Sequence, residues 1–206
     1  MARLRVGYFL EDIAHEKFIT ALVRRVGQEA GLASEALEHV IYNASGGKGQ
    51  AMTELRHFLR DVQRGRIPPT PVLVVAIDGN CQGYTEKHNE IRRVAEDYGY
   101  AGQLVCAIPD PHIERWYIAD PGGLQQAIGA GIRPVPPAYK CERGRYKRAI
   151  LGVFADAGIK PWLGGAEYGN DVVKAMDLYA AQQADPALKH FVDHLKAALS
   201  PFSPVI

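Results

Sequence analysis

Carboxylates stand where three apolar runs of this chain stop. Residues 4–10 (LRVGYFL) end in Glu11-Asp12, and residues 72–77 (VLVVAI) end in Asp78-Gly79-Asn80. Residues 104–108 (LVCAI) are followed by Asp110, His112 and Glu114. Hard oxygen donors gathered at one edge suit Mg²⁺ or Mn²⁺. Such an ion polarises a phosphate and lowers the pKa of a bound water. The donors gather only if the runs are neighbouring strands of a parallel sheet. Ligands of such sheets sit outside the C-terminal strand ends, near a switch in strand order. Turn and capping duties compete for the same residue types. Asp110 before Pro111 suits an N-cap with proline at the first helical position, and Asp12 can cap the helix that follows it. Glu11 and Asp78 follow apolar runs without a capping box, which leaves them as ligand candidates. Both stand at strand ends rather than in a core, so truncating either is expected to leave the fold intact.

The elements that must position them read as alternating strands and helices. Short, nearly continuous apolar runs indicate strands covered on both faces. A further strand is expected at residues 36–42 (ALEHVIY), with imperfect alternation. Phe18, Ile19, Leu22, Val23 and Val26 recur at helical spacing before Gly31; Met52, Leu55, Phe58, Leu59 and Val62 do so before a Pro-rich breaker. A third helix is expected over residues 85–98, with Ile91, Val94 and Ala95 inward. A fourth opens at Asp110-Pro111 and carries Ile113, Trp116 and Tyr117. This order predicts an α/β fold, a parallel sheet of about four strands flanked by helices. After Asp120-Pro-Gly-Gly123 no further strand is expected. Two or three helices close the chain, one carrying Val172, Val173, Met176, Leu178 and Tyr179, another Leu188, Phe191, Val192, Leu195 and Leu199. Residues 1–120 therefore read as an α/β domain and 121–206 as a helical extension packed on it.

Composition narrows the partners. Among 206 residues, 24 Lys and Arg meet 23 Asp and Glu, for a net charge of +1. Any nucleic-acid site must then be a local patch. Residues 140–148 (KCERGRYKR) offer one, with Lys140, Arg143, Arg145, Lys147 and Arg148 around Tyr146; the other reading is a solvated helix face. Arg56, Arg60, Arg64 and Arg66 form a looser basic group. Lys48, in the glycine-rich loop 45–49, could help to hold a phosphate at the following helix N-terminus, or the loop is a plain turn; it lacks Walker spacing. His15 and His112 are proton-shuttle candidates near neutral pH, or surface and capping residues. The three cysteines, Cys81, Cys106 and Cys141, are odd in number and far apart. Neither a disulfide framework nor a zinc knuckle is expected, which makes a reducing cytoplasm the default. No apolar run approaches the length of a membrane helix, so no membrane association is expected.

Glu11, Asp78-Gly-Asn80 and the segment Glu114-Arg-Trp116-Tyr-Ile-Ala119-Asp120 together resemble a family. TOPRIM domains place a glutamate after the first strand and Asp-x-Asp after the third. The chain is most similar to TOPRIM-like proteins with an E-x-W-x-x-A-D signature, related to defence-associated nucleases of the overcoming-lysogenisation-defect type. The resemblance spans about residues 3–120, with an echo in Gly164-Gly-Ala-Glu-Tyr-Gly169. It implies a nuclease or nuclease subunit using Mg²⁺ or Mn²⁺ on DNA or RNA, with an ATPase partner and a homo-oligomer as further possibilities. Glu11 would be ligand or general acid/base, Asp78 the main ligand, Asn80 an auxiliary ligand, and Glu114 would complete the site. The chain departs from the family at Asp12, where glycine is usual, at His15, where an acidic residue is frequent, and at Asn80, the second aspartate of Asp-x-Asp. Those departures drain charge from the site and leave open a catalytically weak module that binds nucleic acid, nucleotide or protein. A phosphatase or phosphotransferase would use the same metal logic.

Overall fold

The computed structural model describes residues 3–44, 50–131, 134–142 and 144–203. Lys48, the loop 45–49 and Arg143 lie outside them. Four parallel strands, β1 (Leu4–Leu10), β2 (Leu37–Asn43), β3 (Val72–Ala76) and β4 (Gln103–Ala107), form one sheet in the order β2-β1-β3-β4. The chain runs from β1 to one neighbour and returns to the other, so strand order reverses between β1 and β3. Leu10 pairs with Ala76 across that gap. The next pairing continues past the strands, with Glu11 N–H donating to Ala76 O at 3.0 Å. Glu11 and Asp78 thereby emerge side by side.

Alternation along the strands sends side chains to two cores. Phe9, Leu73, Val75 and Cys106 pack with α2 (Ala51–Gln63) and α3 (Tyr84–Asp97) through Leu55, Leu59, Ile91 and Val94. Val6, Tyr8, Leu10, Val74, Ala76 and Ala107 face α1 (Ile13–Glu29) and α9 (Pro186–Leu199). Phe18, Leu22, Phe191, Leu195 and Trp116 are fully buried in that second core. The last helix therefore covers a face of the sheet and shares its core. β2 is an edge strand with a half-exposed pattern, which explains its imperfect alternation.

Three expectations change. Asp110–Pro111 is a cis peptide, and α4 is a single turn over Glu114–Tyr117. Asp110 does not cap it; its carboxylate accepts from Cys81 N–H at 3.1 Å and Tyr139 O–H at 2.9 Å. The described residues beyond 120 hold five helices instead of two or three: α5 (Pro121–Ile128), α6 (Arg145–Asp156), α7 (Gly169–Ala175), α8 (Leu178–Ala184) and α9. The apolar series 172–179 splits because Asp177 leaves the helical backbone and caps α8 at Ala180 N, while its own N–H donates to Asp120 Oδ2 at 2.7 Å. Cys81 and Cys141 form a disulfide, with Cα atoms 5.7 Å apart. Their separation of 60 residues hid the pairing, which only the fold creates. It also removes the cysteine-based argument for a reducing compartment. No helix among the described residues is long and apolar enough to cross a membrane.

One contact on the β2 edge sets a pH dependence. His39 Nδ1 lies 2.7 Å from Tyr8 Oη, and Arg24 Nε donates to His39 Nε2 at 3.4 Å. Burial, then the Arg24 guanidinium, lowers the His39 pKa from 6.5 to about 4. The folded state thus binds fewer protons than the unfolded state across that window. Its stability contribution is present above pH 6.5 and is lost as pH falls toward 4. In urea unfolding, His39→Gln is expected to lose less of its midpoint between pH 7 and pH 4.5 than the wild type. Equal losses in both proteins would refute this.

Candidate metal centre

The switch between β1 and β3 holds a polar cavity of about 160 Å³, lined by Glu11, Asp12, Asp78, Asn80, His112, Glu114, Gly144 and Lys147. Its floor is set by the loop after β3. Gly79 N–H donates to Pro109 O at 2.7 Å and Asn80 N–H to Pro111 O at 3.0 Å. The two loops run so close that a Cβ on Gly79 would sit 2.9 Å from Asp110 Oδ1 and 3.3 Å from Asp110 Cα. Asn80 and Cys81 take left-handed backbone, with φ of 48° and 68°. This turn aims Asp78 inward and leaves Asn80 exposed at the rim.

Asp78 is the hub. Its Oδ1 accepts from Ile113 N–H at 2.8 Å, and its Oδ2 lies 3.0 Å from His112 Nδ1. Its own N–H donates to Glu11 Oε2 at 2.8 Å. His15, with no exposed side-chain surface, places Nε2 3.2 Å from Asp78 Oδ1. That approach pairs the charges without the alignment of a hydrogen bond. The other ring nitrogen, Nδ1, lies 2.8 Å from Asp12 Oδ1. An ionised carboxylate only accepts, so Nδ1 carries the proton. This leaves Nε2 turned toward Asp78, the carboxylate–histidine arrangement that orients imidazole toward a metal. Asp12 also caps α1, accepting from Ala14 N–H at 2.9 Å and His15 N–H at 3.0 Å. The capping expectation for Asp12 therefore holds, with a second duty added.

Charge and burial contend at each group. Burial opposes charge on Asp78, but His15 and His112 outweigh it and hold its carboxyl below the usual range. Burial likewise opposes the imidazolium of His15, and Asp78 with Asp12 pushes it up to about 10. Burial works against Asp12 too, yet hydrogen bonds and charge from His15 pull it down to about 2. Glu11 goes the other way: burial, then the Asp78 charge, raises its carboxyl.

One ligand atom each from Glu11, His15 and Asp78 lies within 4.8 Å of the others. Small inward movements bring such donors to the first coordination sphere of Mg²⁺ or Mn²⁺. The oxygen-rich lining, with the misaligned Nε2 of His15, fits such an ion. Glu114 also lines the cavity, outside that tight triad. Of the basic residues, Lys147 reaches the cavity. Lys140, Arg145 and Arg148 converge on Glu142; the first two lie 3.4 and 3.5 Å from its Oε2. Sequence reading missed His15 as a ligand candidate because a helix-start histidine is ordinarily exposed. The available signal was Asp12-x-x-His15, a spacing that lets one cap hold both the helix and the ring.

In the absence of metal, His15 compensates two carboxylates. His15→Leu is expected to destabilise the chain by about 3 kcal/mol, since removing one partner strands a buried charge. Asp78 also holds Ile113 N–H, so Asp78→Ala is expected to cost stability as well as a ligand. Urea unfolding of both single variants and the double variant in chelator should show a double-variant loss smaller than the sum. Strict additivity would mean that the pair is not coupled.

Set against known proteins, the chain matches no family model, no curated protein and no solved structure.

Proposed function

We propose that this chain is a divalent-metal-dependent phosphodiesterase, a nuclease or nuclease subunit acting on DNA or RNA. The observation that carries the reading is the Glu11–His15–Asp78 triad at the strand-order switch, beside a cavity that Glu11, Asp78 and Lys147 all line. Glu11, Asp78 and His15 Nε2 would hold Mg²⁺ or Mn²⁺, with Glu114 and Asn80 at the rim. The ion would polarise a phosphoryl oxygen and acidify a water. Asp12 anchors Nδ1–H of His15 and so keeps Nε2 turned toward Asp78, where an ion would bind by displacing the Nε2 proton. Lys147 is placed to offset charge on a phosphate oxygen. Glu114, which lines the same cavity, would accept a proton. The segment around Lys140, Arg145 and Arg148 offers a backbone track beside the cavity, partly neutralised by Glu142. An ATPase partner and a role in defence belong to this reading through the family resemblance alone.

A second reading, a catalytically weak binding module, has its own support. Asp78 is already engaged by His15, His112 and Ile113 N–H, and Asn80 adds no charge. Cleavage of labelled single- and double-stranded DNA and RNA separates the two. The expected result is turnover with Mn²⁺ or Mg²⁺ and none in chelator. Glu11→Gln and Asp78→Asn should each lower the rate by at least about 100-fold. Asp78→Asn is preferred to alanine because it keeps an acceptor for Ile113 N–H. Salt-sensitive binding without turnover, unchanged in both variants, would establish the binding module instead.

A further inference from the structure

We propose that the loop 162–167 and the slot beside it bind an unpaired nucleobase next to the scissile phosphate, which makes single-stranded DNA or RNA the substrate. The inference rests on the phosphodiesterase reading of the carboxylate cavity and names its substrate class. The slot, of about 100 Å³, shares Asp12, Glu114 and Lys147 with that cavity, so the two are continuous. The rest of its lining includes Ile13, Ile150, Leu163 and the backbone of Gly164 and Gly165. Charged groups thus stand where the slot meets the cavity, and aliphatic groups stand beyond them. A nucleotide has the same polarity, with a phosphate at one end and a flat ring at the other. Sites for drug-sized ligands run from about 300 Å³ upward, so this slot suits one ring and not a larger molecule.

The loop is held from within. The Glu167 carboxylate accepts from Trp162 N–H at 2.8 Å, Leu163 N–H at 3.2 Å and Gly165 N–H at 3.1 Å. Gly164 and Gly165 take left-handed backbone, with φ of 65° and 97°, and a Cβ on Gly165 would lie 2.5 Å from Phe154 Cε2. Tyr117 O–H donates to Ala166 O at 3.2 Å and to Ala14 O at 3.0 Å. The loop and the start of α1, both of which line the slot, are thereby fastened to each other. A site formed in advance lowers the ordering cost of binding. Trp162, adjoining Leu163 on this held loop, is 80% exposed, whereas Trp116 is fully buried. An indole left in water forgoes the burial that aromatic rings ordinarily gain. It also offers the kind of face on which unpaired bases stack. A base in a duplex must give up its partner and its stack before it can enter such a slot, and a base in a single strand gives up least.

Fluorescence anisotropy of a labelled single-stranded thymidine oligonucleotide tests the site on the full chain in chelator, where no cleavage is expected. The single strand should bind at least about fivefold more tightly than the same strand with abasic sugars, and more tightly than its duplex. Trp162→Ala should remove that preference with circular dichroism unchanged, as suits an exposed position. Ile13→Phe, which narrows the slot from an exposed position, should weaken single-strand binding in the same way. In the wild-type chain the single strand should also quench tryptophan emission, which reports Trp162 because Trp116 is buried. Equal affinity for base-bearing and abasic strands, or a preference untouched by both substitutions, would overturn the proposal. Base-dependent binding with no turnover under Mn²⁺ would keep the single-strand site and refute the nuclease reading. Turnover of single strand and duplex alike, with no preference for bases, would do the reverse.

Discussion

Two carboxylates meet where the strand order reverses, and their mutual repulsion is the constraint around which the site is built. Donor atoms of Glu11 and Asp78 lie within 4.8 Å of each other, where two full negative charges repel by roughly 3 kcal/mol at an effective dielectric constant near 20. The protein answers with His15, a positive charge with no exposed side-chain surface, wedged between Asp78 and Asp12. Because Asp12 is also the N-cap of α1, the start of that helix, the end of β1 and the loop after β3 are bound to the same charge arrangement. Glu11 relieves the remaining repulsion by accepting the Asp78 N–H and by a raised pKa. A divalent ion entering this cluster would meet one carboxylate held ionised and another close to hand, with a histidine already oriented.

The helices beyond residue 120 take part in that arrangement. The Glu114–Asp120 segment divides its labour by burial. Glu114 faces the cavity, Trp116 stacks on Phe191 with centroids 5.8 Å apart, and Asp120 caps α5 while holding Asp177 N–H. Arg115 links the same turn to α9, with Nε 3.1 Å from Asp185, and its guanidinium stands 4.8 Å over the Tyr139 ring. Tyr139 reaches Asp110, and Cys141 is bonded to Cys81. The segment preceding α6 is thereby fastened to the loop that carries Asp78. Gly144 and Lys147, at the start of α6, line the same cavity as Asp78. Lys147 is distinguished from its basic neighbours by position, since Lys140, Arg145 and Arg148 already share Glu142.

The sequence alone makes the strands, the helical periodicity and the parallel α/β architecture legible. Backbone pairing and burial on both faces demand short apolar runs, and 4–10 and 72–77 show them plainly. It also marked Glu11, Asp78 and Glu114, because polar residues that interrupt such runs fall at strand ends. Strand order was not legible, since nothing local in β1 says that β2 and β3 lie on opposite sides of it. Tertiary structure alone decided what depends on that order. It buried His15 between two carboxylates, and it paired Cys81 with Cys141 across 60 residues. It turned the Asp110 carboxylate to Cys81 N–H and Tyr139 O–H, and it gave Ile113 N–H to Asp78. Each of these is a contact between residues far apart in the chain or a charge whose state is set by burial, and spacing along a sequence carries neither.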